Sequence, residues 1–299
     1  MSAHRQGLAW AFVGVLMFSF SVPLTKIAVE GFDPFLTATG RALIAGVLAA
    51  GVLLARRVPL PERRHWSPLF FTMLGAVFGW PILLALALRH TTSAHVAVIA
   101  AFMPLMTAVL AVLRAHERAS WQFWLAACAG TAALVAFAIS RGGAEGGNLQ
   151  SDLLIAGAVI SSSSCYVLGA SVTRAIPGWQ VISWVVVLAL PLTVPASIIL
   201  WLETSARFQP GADEWTSLVA LGVSSMYVGF FAWYRGLALA GIARGGQVQQ
   251  LQALLTLCWS AAILGESITA ATLLTAIAVI AAVIWANRGR APTVVAPEE

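Results

Sequence analysis

Charge is what this chain has least of. Asp, Glu, Lys and Arg make up only 10% of its 299 residues, against about 25% in an ordinary globular domain. So few charges cannot cover a soluble surface. The 60% hydrophobic content and a mean hydropathy of +0.87 agree with that, and they place the chain among integral membrane proteins. Lysine is scarcer still: the seventeen basic residues are sixteen arginines and Lys26. No basic stripe with interleaved aromatics exists, so the net charge of +5 does not point to nucleic acid. The three cysteines, Cys128, Cys165 and Cys258, sit inside apolar segments without metal spacing. They read as small buried hydrophobes, not as a disulfide framework. Walker A, HExxH, paired carboxylates and a Ser–His–Asp set are all missing, so neither ATP-driven transport nor membrane-embedded catalysis is expected. Glu30, Asp33, Glu117, Asp152, Glu203 and Glu266 all fall near the ends of apolar runs or in loops. That placement argues against a proton relay through buried carboxylates. No cofactor and no metal is expected.

What is present is apolar sequence in long runs. Nine stretches carry no Asp, Glu, Lys or Arg: Gln6–Thr25, Trp66–Leu88, His90–Leu113, Ala119–Ser140, Leu153–Thr173, Ala175–Leu202, Trp215–Tyr234, Gly245–Gly265 and Ser267–Asn287. A tenth, Pro34–Ala55, carries one interior charge, Arg41. A bilayer core needs about 20 apolar residues per helix, so the chain reads as all-α with ten transmembrane helices. Gln6–Thr25 lacks a small-residue cleavage site and exceeds a typical signal-peptide core of about 7–15 residues. It is taken as the first helix. With the amino terminus in the cytoplasm, twelve arginines fall inside, and only Arg89, Arg141 and Arg207 fall outside. The positive-inside rule therefore expects an inner-membrane protein with both termini cytoplasmic.

The two halves repeat one another at an offset of about 149. Pro104 precedes Glu117 by the same interval as Ala253 precedes Glu266, and Leu74-Gly75 returns as Leu221-Gly222. Five helices per copy force the second copy upside down, and an inverted repeat of this kind sets its substrate site near the midplane between the halves. The first repeat is read as 6–141, a flexible glycine-rich linker as 142–151, the second repeat as 152–288 and a tail as 289–299.

Helix one with terminal Lys26, Arg41 within helix two, and the run from Ser93 to Pro104 ending at His116-Glu117 together resemble the EamA-type drug/metabolite transporters. The second half repeats that run as Ala243–Ala253 with Leu264-Gly265-Glu266. The similarity extends from Gly7 to Asn287 and departs at Ala253, where the family often has proline. It implies two inverted five-helix repeats around a central cavity and export of a small metabolite. Within the family the chain looks most like the bacterial aromatic amino-acid exporters of the YddG type.

An interior charge costs about 2.5–3.5 kcal/mol on insertion scales and so faces a cavity or a partner. Lys26 either contacts substrate or snorkels beside Glu30; Arg41 either contacts substrate or ties the bundle. Gln247, Gln249, Gln250 and Gln252 are an unusual density of amides for an apolar span. They serve interhelical hydrogen bonds or the polar end of a substrate. Phe20, Trp80, Tyr166, Tyr227 and Trp233 lie deep enough to wall an apolar pocket, although core packing accounts for any one of them. The four-residue spacing of Gly157, Ser161, Cys165 and Gly169 reads as a close helix contact. His95 reads as a capping residue. Pro23, Pro81 and Pro104 break helices and are the candidate hinges.

The leading expectation is a secondary exporter of small organic metabolites, above all aromatic or apolar amino acids, working as a monomer in the lipid bilayer by alternating access. The alternatives are a drug or nucleobase exporter and, from outside transport, a membrane enzyme or assembly partner. Cysteine-accessibility labelling should place Arg63 and the carboxy-terminal tail inside and the Gly142–Gly147 linker outside. Labelling of the linker and the Arg56–Arg64 loop from one side would refute the ten-helix count.

Overall fold

The computed structural model describes residues 3–87, 90, 99–140, 148–264 and 270–288. His95, the Gly142–Gly147 linker, Glu266 and the 289–299 tail lie outside the described residues. All regular structure among the described residues is helical. Seven helices there are long and apolar enough to cross a membrane: Ala3–Gly31, Pro34–Ala55, Arg63–Leu84, Trp121–Ala138, Leu149–Val172, Gly178–Thr204 and Ala212–Ala240. Met103–Ala115 and Leu273–Asn287 are shorter apolar helices. The outer surface carries large apolar side chains, with Leu54, Leu202 and Leu274 each about 70% exposed or more. Water does not tolerate such a surface. This is a multi-pass membrane protein.

Local sequence explains where the helices begin. Element α3 (Pro34–Ala55) starts at Asp33, whose carboxylate accepts from the Phe35 and Leu36 N–H groups, with Pro34 in the first turn. Element α7 (Trp121–Ala138) is capped by Ser120, and α8 (Leu149–Val172) by an Asn148/Ser151 capping box. Each supplies an acceptor to an N–H group that the helix cannot satisfy itself.

Several of the rods are broken. The first comprises α1 (Ala3–Ser19) and α2 (Ser21–Gly31), separated at Phe20. The third consists of α4 (Arg63–Met73), a π-helical turn over Leu74–Gly79, and α5 (Trp80–Ala87). Pro81 explains that turn. It has no N–H, and its ring crowds the carbonyl four residues back. The Trp80 N–H reaches Gly75, five residues back, instead. A second π-helical turn, Leu221–Val228, joins α10 (Ala212–Ala220) to α11 (Gly229–Ala240) without a proline. There Ser224 and Ser225 donate to the carbonyls of Ala220 and Leu221 and so compete with the backbone for the four-residue pattern. The remaining elements are α6 (Met103–Ala115), α9 (Gly178–Thr204), α12 (Ile242–Gln247), α13 (Gln250–Leu264) and α14 (Ala270–Asn287). Each of the three candidate hinge prolines thus follows a helix break: Phe20 before Pro23, the first π-helical turn before Pro81, and the turn at Ala101-Phe102 before Pro104.

Packing runs mostly between the two halves. Helix α1 lies along α11, α3 along α9, α7 along α14 and α6 along α12, while α8 contacts α5, α6 and the first π-helical turn. Small residues permit the closest approaches. The Gly157–Gly169 stripe meets Leu83 at Gly157, Gly75 and Gly79 at Ser161, and Tyr234 at Gly169. Of the cysteines only Cys165 is buried. Cys128 and Cys258 are exposed on outward helix faces, because a thiol is as compatible with lipid as with a core.

A side chain at Gly14 would bring its Cβ to 2.8 Å from the Trp233 backbone nitrogen, which forces α1 off α11. Gly14→Val should destabilise the fold by about 2 kcal/mol or more, read as a lower thermal midpoint in detergent. At Gly51, inside α3, nothing lies within 4 Å of an added Cβ, and Gly51→Ala should not lower the midpoint, since alanine favours the helix over glycine.

Candidate functional site

Two helix breaks face each other in the interior. One is the turn at Ala101-Phe102 before α6; the other is the turn at Val248-Gln249 between α12 and α13. They lie 147 residues apart, as do the first residues of the two π-helical turns, Leu74 and Leu221. The second-half break therefore sits ahead of Ala253, the position matched to Pro104 in sequence. Side chains from the second half bond to backbone carbonyls in the first turn of α6. Gln247 Nε2 donates to the Pro104 carbonyl at 3.1 Å, and Ser163 Oγ donates to the Met103 carbonyl at 3.2 Å. Gln250 Nε2 donates to Gln247 Oε1 at 2.7 Å. Gly130 on α7 makes room for the Gln250 amide, since a Cβ there would collide with it.

Gln249 leaves this ladder and points into a different set of groups. Its Nε2 lies 3.3 Å from the Tyr166 hydroxyl and 3.1 Å from Met103 Sδ. Arg41 approaches the same region from α3. Its Nη2 donates to Ser225 Oγ at 2.8 Å, and it is within electrostatic reach of Tyr166. Tyr166 packs edge-on to Trp233, with ring centres 5.2 Å apart, and Phe18 and Phe230 complete the cluster. Three polar atoms at this centre are buried without a hydrogen-bond partner: Arg41 Nε, Trp233 Nε1 and Gln249 Oε1. Two are donors and one is an acceptor.

The structure brings together Arg41, Tyr166, Trp233, Gln247, Gln250 and Pro104 from the residues singled out in the sequence. Others are engaged elsewhere. Tyr227 shares a 2.8 Å hydrogen bond with Ser183 on α9 and packs against Phe231. Phe20 stacks on Trp259 at 4.2 Å, and Trp259 Nε1 donates to Ser19 Oγ at 3.0 Å. Lys26 is exposed on α2. Trp80 is half-buried and packs against the main core beyond the first π-helical turn. Ser225 and Met103 carried no signal in the sequence, and Trp259 was one tryptophan among twelve. Gln249 was visible only as one of four clustered amides.

At one end of the bundle a single carboxylate joins the halves. His116 adopts a left-handed conformation, φ 53°, that ends α6 and turns Glu117 inward. Gly241, φ 88°, reverses the chain between α11 and α12, a conformation that glycine adopts without steric cost. The Glu117 carboxylate, 6% exposed, accepts from Ile242 N–H at 2.6 Å and Ala243 N–H at 2.8 Å. Negative charge at a helix amino terminus is favourable on both hydrogen-bonding and dipole grounds, and Arg244 adds its own attraction.

The EamA-like transporter family matches residues 5–139 and 149–288. The chain belongs to that family. A relative from Bacillus subtilis (strain 168), an "uncharacterized transporter YdeK", is 40% identical over 288 residues, covering 96% of this chain and 99% of the relative. One crystal structure of a protein superposes with a TM-score of 0.78 at 19% identity, covering 94% of this chain and 98% of its own. That second likeness concerns the fold.

Glu117→Gln removes the charge and one of two acceptors while keeping the shape. It should destabilise the protein by about 1–3 kcal/mol, whereas Glu62→Gln, on the exposed loop, should change little. Thermal unfolding in detergent distinguishes the two.

Proposed function

We propose that this family member is an inner-membrane secondary transporter that exports small organic metabolites, foremost amino acids with aromatic or bulky apolar side chains, by alternating access. It has both termini in the cytoplasm and ten spans in two inverted five-helix repeats. The packing supports the repeat. Exchanging the halves converts the α1–α11 contact into the contact of α8 with the first π-helical turn and α5, and returns α3–α9, α6–α12 and α7–α14 to themselves. The common 147-residue offset of the π-helical turns and of the breaks before α6 and α13 supports it as well.

The observation that carries the substrate class is the set of open hydrogen-bonding positions beside a ring cluster. A zwitterionic amino acid brings a carboxylate for Arg41 and an ammonium for the Gln249 amide oxygen. The Tyr166, Trp233, Phe18 and Phe230 rings suit an aromatic side chain by edge and offset contacts. Trp233 is fully buried in this conformation, so substrate enters only when the helices separate. Pro23, Pro81 and Pro104 bend the first half, and the serine-rich turn before Gly229 bends the second. Neutral amides lose less than ions when buried, and weak binding suits a protein that must release its cargo.

Counterflow in proteoliposomes preloaded with phenylalanine, leucine, alanine or a cationic drug tests the reading. Phenylalanine and leucine should exchange. Arg41→Gln should raise the half-saturating concentration at least tenfold, the loss of a charged hydrogen bond worth about 1.5–3 kcal/mol, and Gln249→Leu should do so to a smaller degree. Transport of the drug with no amino-acid movement would overturn the substrate class.

A further inference from the structure

Away from the central site, a pocket of about 400 Å³ opens at the end of the bundle that carries the arginine-rich loop. It lies between the loop leading into α4 and the turn between α8 and α9. Glu62, Arg64, His65, Arg174, Gln180 and Trp184 line it. Its size falls in the range of small-molecule sites, about 300–1,000 Å³. We propose that it binds the phosphate of an anionic headgroup, and that the chain's own loop architecture is built to hold it.

The charges are arranged for an anion. Glu62 lies 2.8 Å from Arg64 Nε, and the Arg64 side chain is 71% exposed, so the guanidinium remains accessible. Arg174 pairs with no carboxylate among the described residues. Its planar fork matches two phosphate oxygens at once. His65 Nδ1 is buried in the pocket wall with no hydrogen-bond partner, and Gln180 adds an amide. Two full positive charges therefore face one carboxylate.

The scaffold around these groups is held in place. Trp66 Nε1 donates to the Pro61 carbonyl at 3.0 Å, which fixes the loop against the start of α4. Pro59 and Pro61 stiffen the same stretch. Arg56 lies over Trp179, 5.4 Å from the ring centre, and is thereby kept at the neighbouring edge.

The apolar part of the lining selects the source of the phosphate. Leu60, on the rim, is 70% exposed, and Trp184 and Ile176 line the same space. A headgroup with a glycerol and acyl chains attached meets both halves of such a rim, whereas a free phosphate meets only the arginines. Basic pockets between helix ends on an anionic membrane face are suited to acidic phospholipids. An anionic phospholipid seated there would bridge α4 to α9 and brace the two ends.

The full chain in detergent provides the test. Its thermal midpoint is measured with dioctanoyl phosphatidylglycerol, with dioctanoyl phosphatidylcholine and with glycerol 3-phosphate. Phosphatidylglycerol should raise the midpoint by several degrees, at concentrations where phosphatidylcholine does not. Arg64→Gln combined with Arg174→Gln should remove most of that rise. Arg207→Gln, beyond the opposite end of α9, should keep it. A rise with glycerol 3-phosphate that needs Arg174 would support the phosphate site and assign it to a soluble ligand; no such rise assigns it to lipid. The proposal is overturned if the double variant keeps the full rise, or if phosphatidylcholine matches phosphatidylglycerol.

Discussion

In hydrocarbon a backbone N–H or carbonyl has no water to turn to, and each one left unpaired costs several kcal/mol. A transporter interior nevertheless needs irregular backbone, because an unbroken helix offers nothing polar and does not bend. This protein ties the backbone beside its breaks to the opposite half through side-chain hydrogen bonds. Gln247 reaches the Pro104 carbonyl, Ser163 reaches the Met103 carbonyl, and Glu117 receives the first N–H groups of α12. These contacts exist only in the assembled bundle. A change in how the halves meet necessarily changes which backbone groups are paired.

The halves solve the same problem with different residues. Proline follows the breaks of the first half, at Pro23, Pro81 and Pro104. In the second half serine hydroxyls occupy the carbonyls before Gly229, and a left-handed glycine, Gly241, makes the turn into α12. Helix α8, the counterpart of the broken first rod, is continuous. Proline fixes one geometry, whereas a serine hydroxyl can release its carbonyl.

Much of the fold was legible in the sequence, because apolar length and arginine placement are local properties. Among the described residues the runs of uncharged residues form helices, the prolines mark the first-half breaks, and the small-residue stripe of α8 is a close contact. Tyr166, Trp233 and Arg41 were recognisable as candidates because a ring or a charge inside a span is conspicuous in isolation.

The composition and periodicity of the chain by themselves determined that it lies in a membrane and is all helical. The repeat of Leu-Gly and glutamate positions foreshadowed two similar halves. Only the tertiary structure decided which polar side chain serves which purpose. Gln247 and Gln249 are two residues apart on one short stretch, yet one bonds the Pro104 carbonyl and the other faces Tyr166. Tyr227 and Trp233 looked equivalent, but one hydroxyl is held by Ser183 while the other ring joins the central cluster. The reason is physical. A helical turn distributes neighbouring side chains around its axis, and what each one meets is set by a partner more than forty residues away, whose position no local pattern encodes.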